Sequence, residues 1–145
     1  MRYAKTAVPQ RAVVFVCALD KRPDKREHIN GPPAQLKASA AQTLGMAIHE
    51  LATNASKHGA LSSRTGTIQV SWGTEERDQH SQFTMQWVEA HGPTVKEPER
   101  RGFGHSILVD MAEYSLEATV TLSYPPTGLV WQLSAPMSEV LAIDE

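Results

Sequence analysis

The sequence predicts an α+β domain, a two-layer sandwich with helices packed on one face of a mainly antiparallel sheet. Two helical stretches and a set of alternating runs lead to that class. Apolar residues recur at helical spacing from about Leu36 to His58, and again over His105–Leu116. Between and after these stretches, short runs alternate apolar and polar residues and are joined as hairpins would be. With 145 residues, 41% hydrophobic and 21% charged, the chain has the size and composition of one globular domain.

Taken in order, the first apolar run is Ala12–Leu19. It is too short to cross a membrane, which takes about 20 residues. Asp20-Lys21-Arg22 follows it at once, and no clear small-residue cleavage site is present, so a buried strand Val13–Val16 on a basic arm is expected rather than a secretion signal. Lys21–Pro33 reads as a turn-rich connection closed by Gly31-Pro32-Pro33, with room for a short strand at Glu27–Asn30. In the first helix Leu44, Ile48, Leu51 and Ala55 form one stripe, and Gly59 stands where the helix should stop. Ile68, Val70 and Trp72 alternate in one strand, Phe83, Met85 and Trp87 in the next, with a charged loop expected over Thr74–Ser81. A loop from Ala90 to Arg101 leads to Gly102-Phe103-Gly104, which opens the second helix. Ile107, Leu108, Met111 and Tyr114 are its expected apolar side. Strands Ala118–Tyr124 and Leu129–Leu133 follow, and the tail from Met137 is expected to fray.

The formal net charge of −2 conceals a break. Residues 1–26 carry seven Lys/Arg and two Asp, a net +5, whereas residues 27–145 carry a net −7. A basic arm can touch nucleic acid. The acidic remainder offers no continuous basic face, and 6% aromatic content offers few stacking platforms, so nucleic-acid binding is not expected. A single cysteine, Cys17, excludes an internal disulfide and a paired-cysteine zinc site, and fits a cytoplasmic setting. A histidine-based metal hydrolase is disfavoured: His49 and His58 are nine apart, not the i, i+4 of a helical zinc pair.

The first helix has an unusual polar face. At 100° per residue, Glu50, Asn54 and Lys57 cluster about 120° from the apolar stripe, flanked by His49 and Thr53. Asn oxygen is a hard ligand for Mg²⁺, Lys offers a point charge to phosphate, and Glu can orient or deprotonate a nucleophile. The same spacing also describes an ordinary solvated face with Glu/Lys pairing. Gly102-Phe103-Gly104 adds free backbone N–H groups at a helix start, where anions are favoured, with Arg100 and Arg101 just upstream. On spacing alone, a nucleotide site and an ordinary loop-to-helix entry both remain open.

The residues also match a known pattern. His49-Glu50-Leu51-Ala52-Thr53-Asn54-Ala55-Ser56-Lys57-His58-Gly59-Ala60-Leu61 resembles the N box of the HWE group of bacterial sensor histidine kinases. That group takes its name from a His in this box and a Trp-x-Glu farther on, here His49 and Trp87-Val88-Glu89. Trp87–Val95 is similar to the family's G1 region, Arg101–Leu108 to its G2 box, and Gly128-Leu129-Val130 with Pro136 to its closing strand. The likeness spans about residues 27–136, so residues 1–26 are read as a basic leader or strand outside it and 27–145 as the ATP-binding domain.

The resemblance implies a Bergerat-type ATP-binding fold, helices over a mixed sheet, that takes ATP and Mg²⁺. It implies Asn54 as the Mg²⁺ ligand, Glu50 as the residue assisting phosphoryl transfer, and Lys57 and His58 near phosphates or ribose. Glu89 would read the adenine amino group. Gly92 belongs to the G1 loop, and Arg101, Gly102, Phe103 and Gly104 to the lid over the phosphates. The implied partners are a histidine phosphotransfer domain or a response regulator.

Two departures stand out. The family usually has Gly where this chain has His91, whose imidazole either crowds the adenine pocket or lies outward in the loop. The family's helical dimerisation domain with its phosphoacceptor histidine is not recognisable; His28 lacks that setting. The expected activity is therefore phosphoryl donation to a histidine on another domain or chain, with oligomeric state left open. The alternative is a degenerate, non-catalytic interaction module, a phosphotransfer partner or anti-sigma-type switch.

Overall fold

A computed structural model describes residues 26–98 and 102–142. The expected strand Val13–Val16 and the arginines at 100 and 101 lie outside the described residues. Five strands form one sheet: β1 (Glu27–Asn30), β2 (Thr67–Arg77), β3 (His80–Ala90), β4 (Thr119–Ser123) and β5 (Val130–Pro136), in the order β1-β2-β3-β5-β4. β1 pairs parallel to β2, and every other pairing is antiparallel. The parallel pair has the longest connection, and that connection contains α1 (Ala38–Lys57). This is the crossover geometry that a parallel pair requires.

α1 buries Leu44, Ile48, Leu51 and Ala55 completely, the stripe read from the sequence. Ala40, Ala47 and Ala52 are buried beside them in the same core. The facing side of the sheet is apolar in register. Trp87 on β3 lies between Val70 on β2 and Trp131 on β5, and Met85 between Trp72 and Leu133. Each fully buried aliphatic or aromatic side chain of this kind contributes about 1.5–3 kcal/mol. The outer face carries Gln69, Ser71, Thr84, Gln86, Thr121, Gln132 and Ser134 and is left to solvent, as one face of an antiparallel sheet commonly is.

The second helical run, α2, covers residues 103–116 in three parts: Phe103–His105 α-helical, Ser106–Asp110 π-helical and Met111–Leu116 α-helical. The wide middle turn is held from the sheet, because the Trp131 indole N–H donates to the Leu108 carbonyl at 2.9 Å. Ile107 and Leu108 are buried as expected, but Met111 and Tyr114 are not; Ala112 and Leu116 take the inward positions. The widened turn shifts the helical phase, so 100° counting from Ile107 misplaces every later residue. α2 ends at Glu117, which adopts a left-handed conformation.

Two other expectations change. Thr74–Ser81 is no open loop: β2 and β3 continue through it to a two-residue turn at Asp78-Gln79. Both turn residues have positive φ, 52° and 66°, the combination that matches hairpin twist. Glu75 pairs with Arg77, and the Ser81 hydroxyl donates to Glu76, so the charges sit on strands rather than in a loop. The tail does not fray at Met137. A short helix α3 (Met137–Val140) buries Val140, and Leu141 bridges to Leu36 while the Lys37 N–H donates to the Val140 carbonyl. An apolar residue every few positions was present in Met137–Leu141, and it is enough to dock the end on the start of α1.

Candidate functional site

The polar face of α1 opens onto a cavity of about 320 Å³. Glu50 and Asn54, one helical turn apart, form one wall. Gly102, Gly104, His105 and Leu108 from the start of α2 form another, and Glu97, Pro98, Leu122 and Tyr124 complete it. Gly104 lies close against Glu50: a Cβ on it would stand 2.5 Å from a Glu50 carboxylate oxygen, so any larger residue would make that side chain move. A Cβ at Gly102 would meet nothing within 4 Å, so Gly102 is not required by packing. The cavity places a carboxylate and a carboxamide beside backbone N–H groups at a helix start. Burial pushes the Tyr124 hydroxyl above its ordinary pKa, and the nearby Glu97 carboxylate adds to the shift. Tyr124 therefore faces the cavity as a neutral hydrogen-bonding group.

Past the end of α1 the chain makes a second, tighter construction. Gly59 donates to the carbonyls of Asn54 and Ala55, and Ala60 begins a short 3₁₀ turn, Ala60–Ser62. Gly59 does not have left-handed φ, so stopping the helix is not what needs glycine. Its absent Cβ is the requirement, because that atom would stand 2.4 Å from the Glu89 carboxylate. Glu89 is 4% exposed on the inner face at the end of β3. Its Oε1 accepts from the Ala60 N–H at 3.0 Å, and its Oε2 from the Trp87 indole N–H at 2.9 Å. Burial raises its pKa, and the two hydrogen bonds oppose the rise without cancelling it.

Glu50, Asn54, Gly102 and Gly104 thus line one cavity. Glu89 is not on its wall; it stands behind Gly59 and Ala60. Gly92 backs onto the same turn, where a Cβ would come within 2.8 Å of the Ala60 Cα. Lys57 and His58 are exposed at the C-terminal end of α1 and do not line the cavity. Phe103 begins α2, and Arg101 lies outside the described residues. His91 is exposed with φ of 61°, its carbonyl accepting from Thr65. Of the two orientations open in the sequence, the outward one is found. The positive φ also gives a reason for glycine at this place.

Sequence reading missed Glu97, His105, Leu122 and Tyr124, which reach the cavity from three separate segments. It also missed Arg26, counted with the basic arm. Arg26 is 3% exposed, and its guanidinium donates to the carbonyls of Ala60 at 2.8 Å and Gly66 at 2.7 Å. No periodicity marks such a residue, and the run Lys25-Arg26 looks like surface charge. Among the described residues no three His, Cys, Asp or Glu side chains converge as a metal cluster. Nor, among them, is any helix long and apolar enough to cross a membrane.

No family model matches the chain. Over 113 residues, 78% of its length, it is 41% identical to a blue-light-activated histidine kinase of Brucella anthropi. It is 36% identical over the same length to the protein of that name from Brucella ovis. The chain spans 23% of the length of each of these relatives. Among solved structures it is similar to the histidine kinase domain of the Erythrobacter litoralis EL346 blue-light activated histidine kinase, with a TM-score of 0.68 at 20% identity, over 89% of this chain and 63% of that one. The catalytic domain of the histidine kinase ThkA gives a TM-score of 0.63 at 12% identity, over 94% and 97% of the two chains. The structural likeness establishes the sandwich of helices on a mixed sheet, and the sequence identity establishes the relationship. The chain is thus a homologue of the blue-light-activated histidine kinases over most of its length, built on the fold of a histidine kinase catalytic domain.

Proposed function

We propose that this domain binds Mg-ATP and donates the γ-phosphoryl group to a histidine supplied by another domain or chain, as the catalytic domain of an HWE-type two-component sensor kinase. One observation carries the reading: Glu50 and Asn54 share a cavity with the glycine-bearing start of α2. The donor set fits Mg²⁺, since a carboxamide and a carboxylate are hard oxygen donors and the ion keeps most of its waters. Asn54 would hold the ion, and the ion's charge would offset that of the phosphates. Gly102, Phe103 and Gly104, with Arg101 before them, would close over the phosphates through backbone N–H groups and positive charge. Lys57 and His58, at the exposed end of α1, would meet phosphate or ribose.

Glu89 would accept a hydrogen bond from the adenine amino group, and Gly92 would let the following loop approach Ala60. Glu50 would orient the acceptor imidazole and take its proton as the new N–P bond forms and the bond to ADP breaks. Phosphoryl transfer asks for positioning and charge neutralisation more than covalent help, which suits this set of residues. A response regulator is the proposed consumer of the phosphoryl group. Calorimetric titration with ADP and Mg²⁺ tests the reading. Binding that Mg²⁺ strengthens and Asn54→Ala weakens about a hundredfold is expected; no binding by the unaltered protein would sink it. Glu50→Gln should keep ADP affinity and lose phosphoryl transfer to an added histidine-bearing domain.

A further inference from the structure

We infer that Arg26 is a positioning residue for base recognition: acting through Ala60, it holds Glu89 ready to accept from an exocyclic amino group, and so sets a preference for 6-amino over 6-oxo purines. The inference rests on the Mg-ATP reading of the site. Arg26 directly precedes β1 and is fixed to the sheet, its carbonyl accepting from the Ile68 N–H at 3.0 Å. From there its guanidinium reaches two carbonyls six residues apart, those of Ala60 and Gly66, and so closes the excursion between α1 and β2. Gly66 is shaped for this, since a Cβ on it would stand 1.9 Å from the Ala60 carbonyl oxygen.

Ala60 is therefore held on both sides. Its carbonyl accepts from Arg26, and its N–H donates to Glu89. A carboxylate has about four lone-pair sites, so Glu89 keeps acceptor capacity after these bonds to Ala60 and Trp87. A charged group as buried as Glu89 stays ionised only while such donors remain in place. Burial already raises its pKa, and the loss of the Ala60 N–H raises it further. Once protonated, the carboxyl group becomes a donor, which suits a 6-oxo purine and not a 6-amino one. The other charged or titratable groups on β1, α1 and the adjoining loops are Glu27 and His28 on β1, His49, Glu50 and Lys57 on α1, and His58, Arg64 and His91 on the loops. All but Glu27 and Glu50 are exposed, which leaves Arg26, among the described residues, as the buried cation on this side.

The experiment compares Mg-ADP with Mg-IDP, by calorimetry, at pH 6.5 and 8.5. The unaltered protein should prefer ADP at least tenfold. Arg26→Gln should narrow that preference about tenfold at pH 6.5, and less at pH 8.5, because higher pH favours the ionised carboxylate. Equal loss of both nucleotides at both pH values would make Arg26 a scaffold residue only and overturn the inference, as would an unchanged preference. If Arg26→Gln does not fold, Arg26→Lys decides, since it keeps the charge but cannot span both carbonyls. A narrowing of about threefold supports the inference; a retained preference or equal loss overturns it. Failure of the unaltered protein to bind either nucleotide overturns the Mg-ATP reading itself, and the role of Arg26 with it.

Discussion

Glu50 and Glu89 are carboxylates on the inner side of one sheet, and their surroundings differ in every respect that matters to binding. Glu50 lines an open cavity, half-exposed, with the backbone of Gly104 against it. Glu89 is 4% exposed, and each of its oxygens accepts from a fixed donor. On the proposed Mg-ATP reading, the contrast separates two tasks. A hydrated cation with phosphates needs room and charge, so its residues can change without loss of fold. A base-recognising acceptor needs a fixed direction, so its residues are built into the core and carry stability as well.

That division is broken most directly at Asn54. Its carboxamide lines the cavity and supports nothing buried, so Asn54→Ala should cut Mg-ADP affinity about a hundredfold, roughly 2.7 kcal/mol. Stability in urea should stay within about 0.5 kcal/mol of the unaltered protein. An equal loss of stability and affinity would mean that both ends of the site are structural. Glu89→Ala should behave in the opposite way. It leaves the Ala60 N–H and the Trp87 indole without their acceptor in a buried place, at a cost of about 2 kcal/mol by urea denaturation. Glu50→Ala should cost less than about 0.5 kcal/mol in the same measurement.

The pH dependence sharpens the same contrast. The pKa of Glu89 is raised by folding, so the folded state takes up its proton more readily than the unfolded chain. The stability tied to that proton is fully present below the ordinary carboxylate pKa and is lost as pH rises through the folded value. Glu89→Gln removes this loss. Relative to the unaltered protein, its stability should therefore rise from acid pH to neutral pH, with the change starting near the ordinary value of 4.5. Urea midpoints for both proteins at several pH values measure it. A difference that does not vary with pH would mean that Glu89 is not the titrating group.

The cavity was more legible in the sequence than the buried end. Glu50, Asn54 and the Gly102–Gly104 segment can be read because each lies within one regular element, where helical spacing or a glycine pair carries the information. The apolar stripe of α1 and the alternation of β2 and β3 are legible for the same reason. Arg26, Glu97 and Tyr124 are not, because their places depend on how distant segments fold back, and no local period encodes that. The π-turn of α2 is a sharper case. The Trp131 indole that donates to the Leu108 carbonyl within it lies 23 residues away, and the wide turn leaves Met111 and Tyr114 out of the predicted core. Gly59 was recognised at the right position for a different reason, since it makes room for Glu89 rather than ending the helix.

The smallest predicted effect is the most discriminating about the loop between the two ends. His91 has φ of 61° and an exposed side chain, so the residue is strained in its backbone while its imidazole occupies no pocket. Left-handed conformations cost a non-glycine residue about 1–2 kcal/mol, although His is among the more tolerant types. Glycine removes that strain but gains unfolded-state entropy worth about 0.4–1 kcal/mol, which offsets part of the benefit. His91→Gly should therefore stabilise the domain by about 0.5 kcal/mol and change Mg-ADP affinity by less than about twofold. A tenfold gain in affinity would place the imidazole in the base pocket and bring the loop into the recognition surface. Unchanged affinity with a small gain in stability would leave recognition to the held carboxylate of Glu89, with the His91 loop outside it.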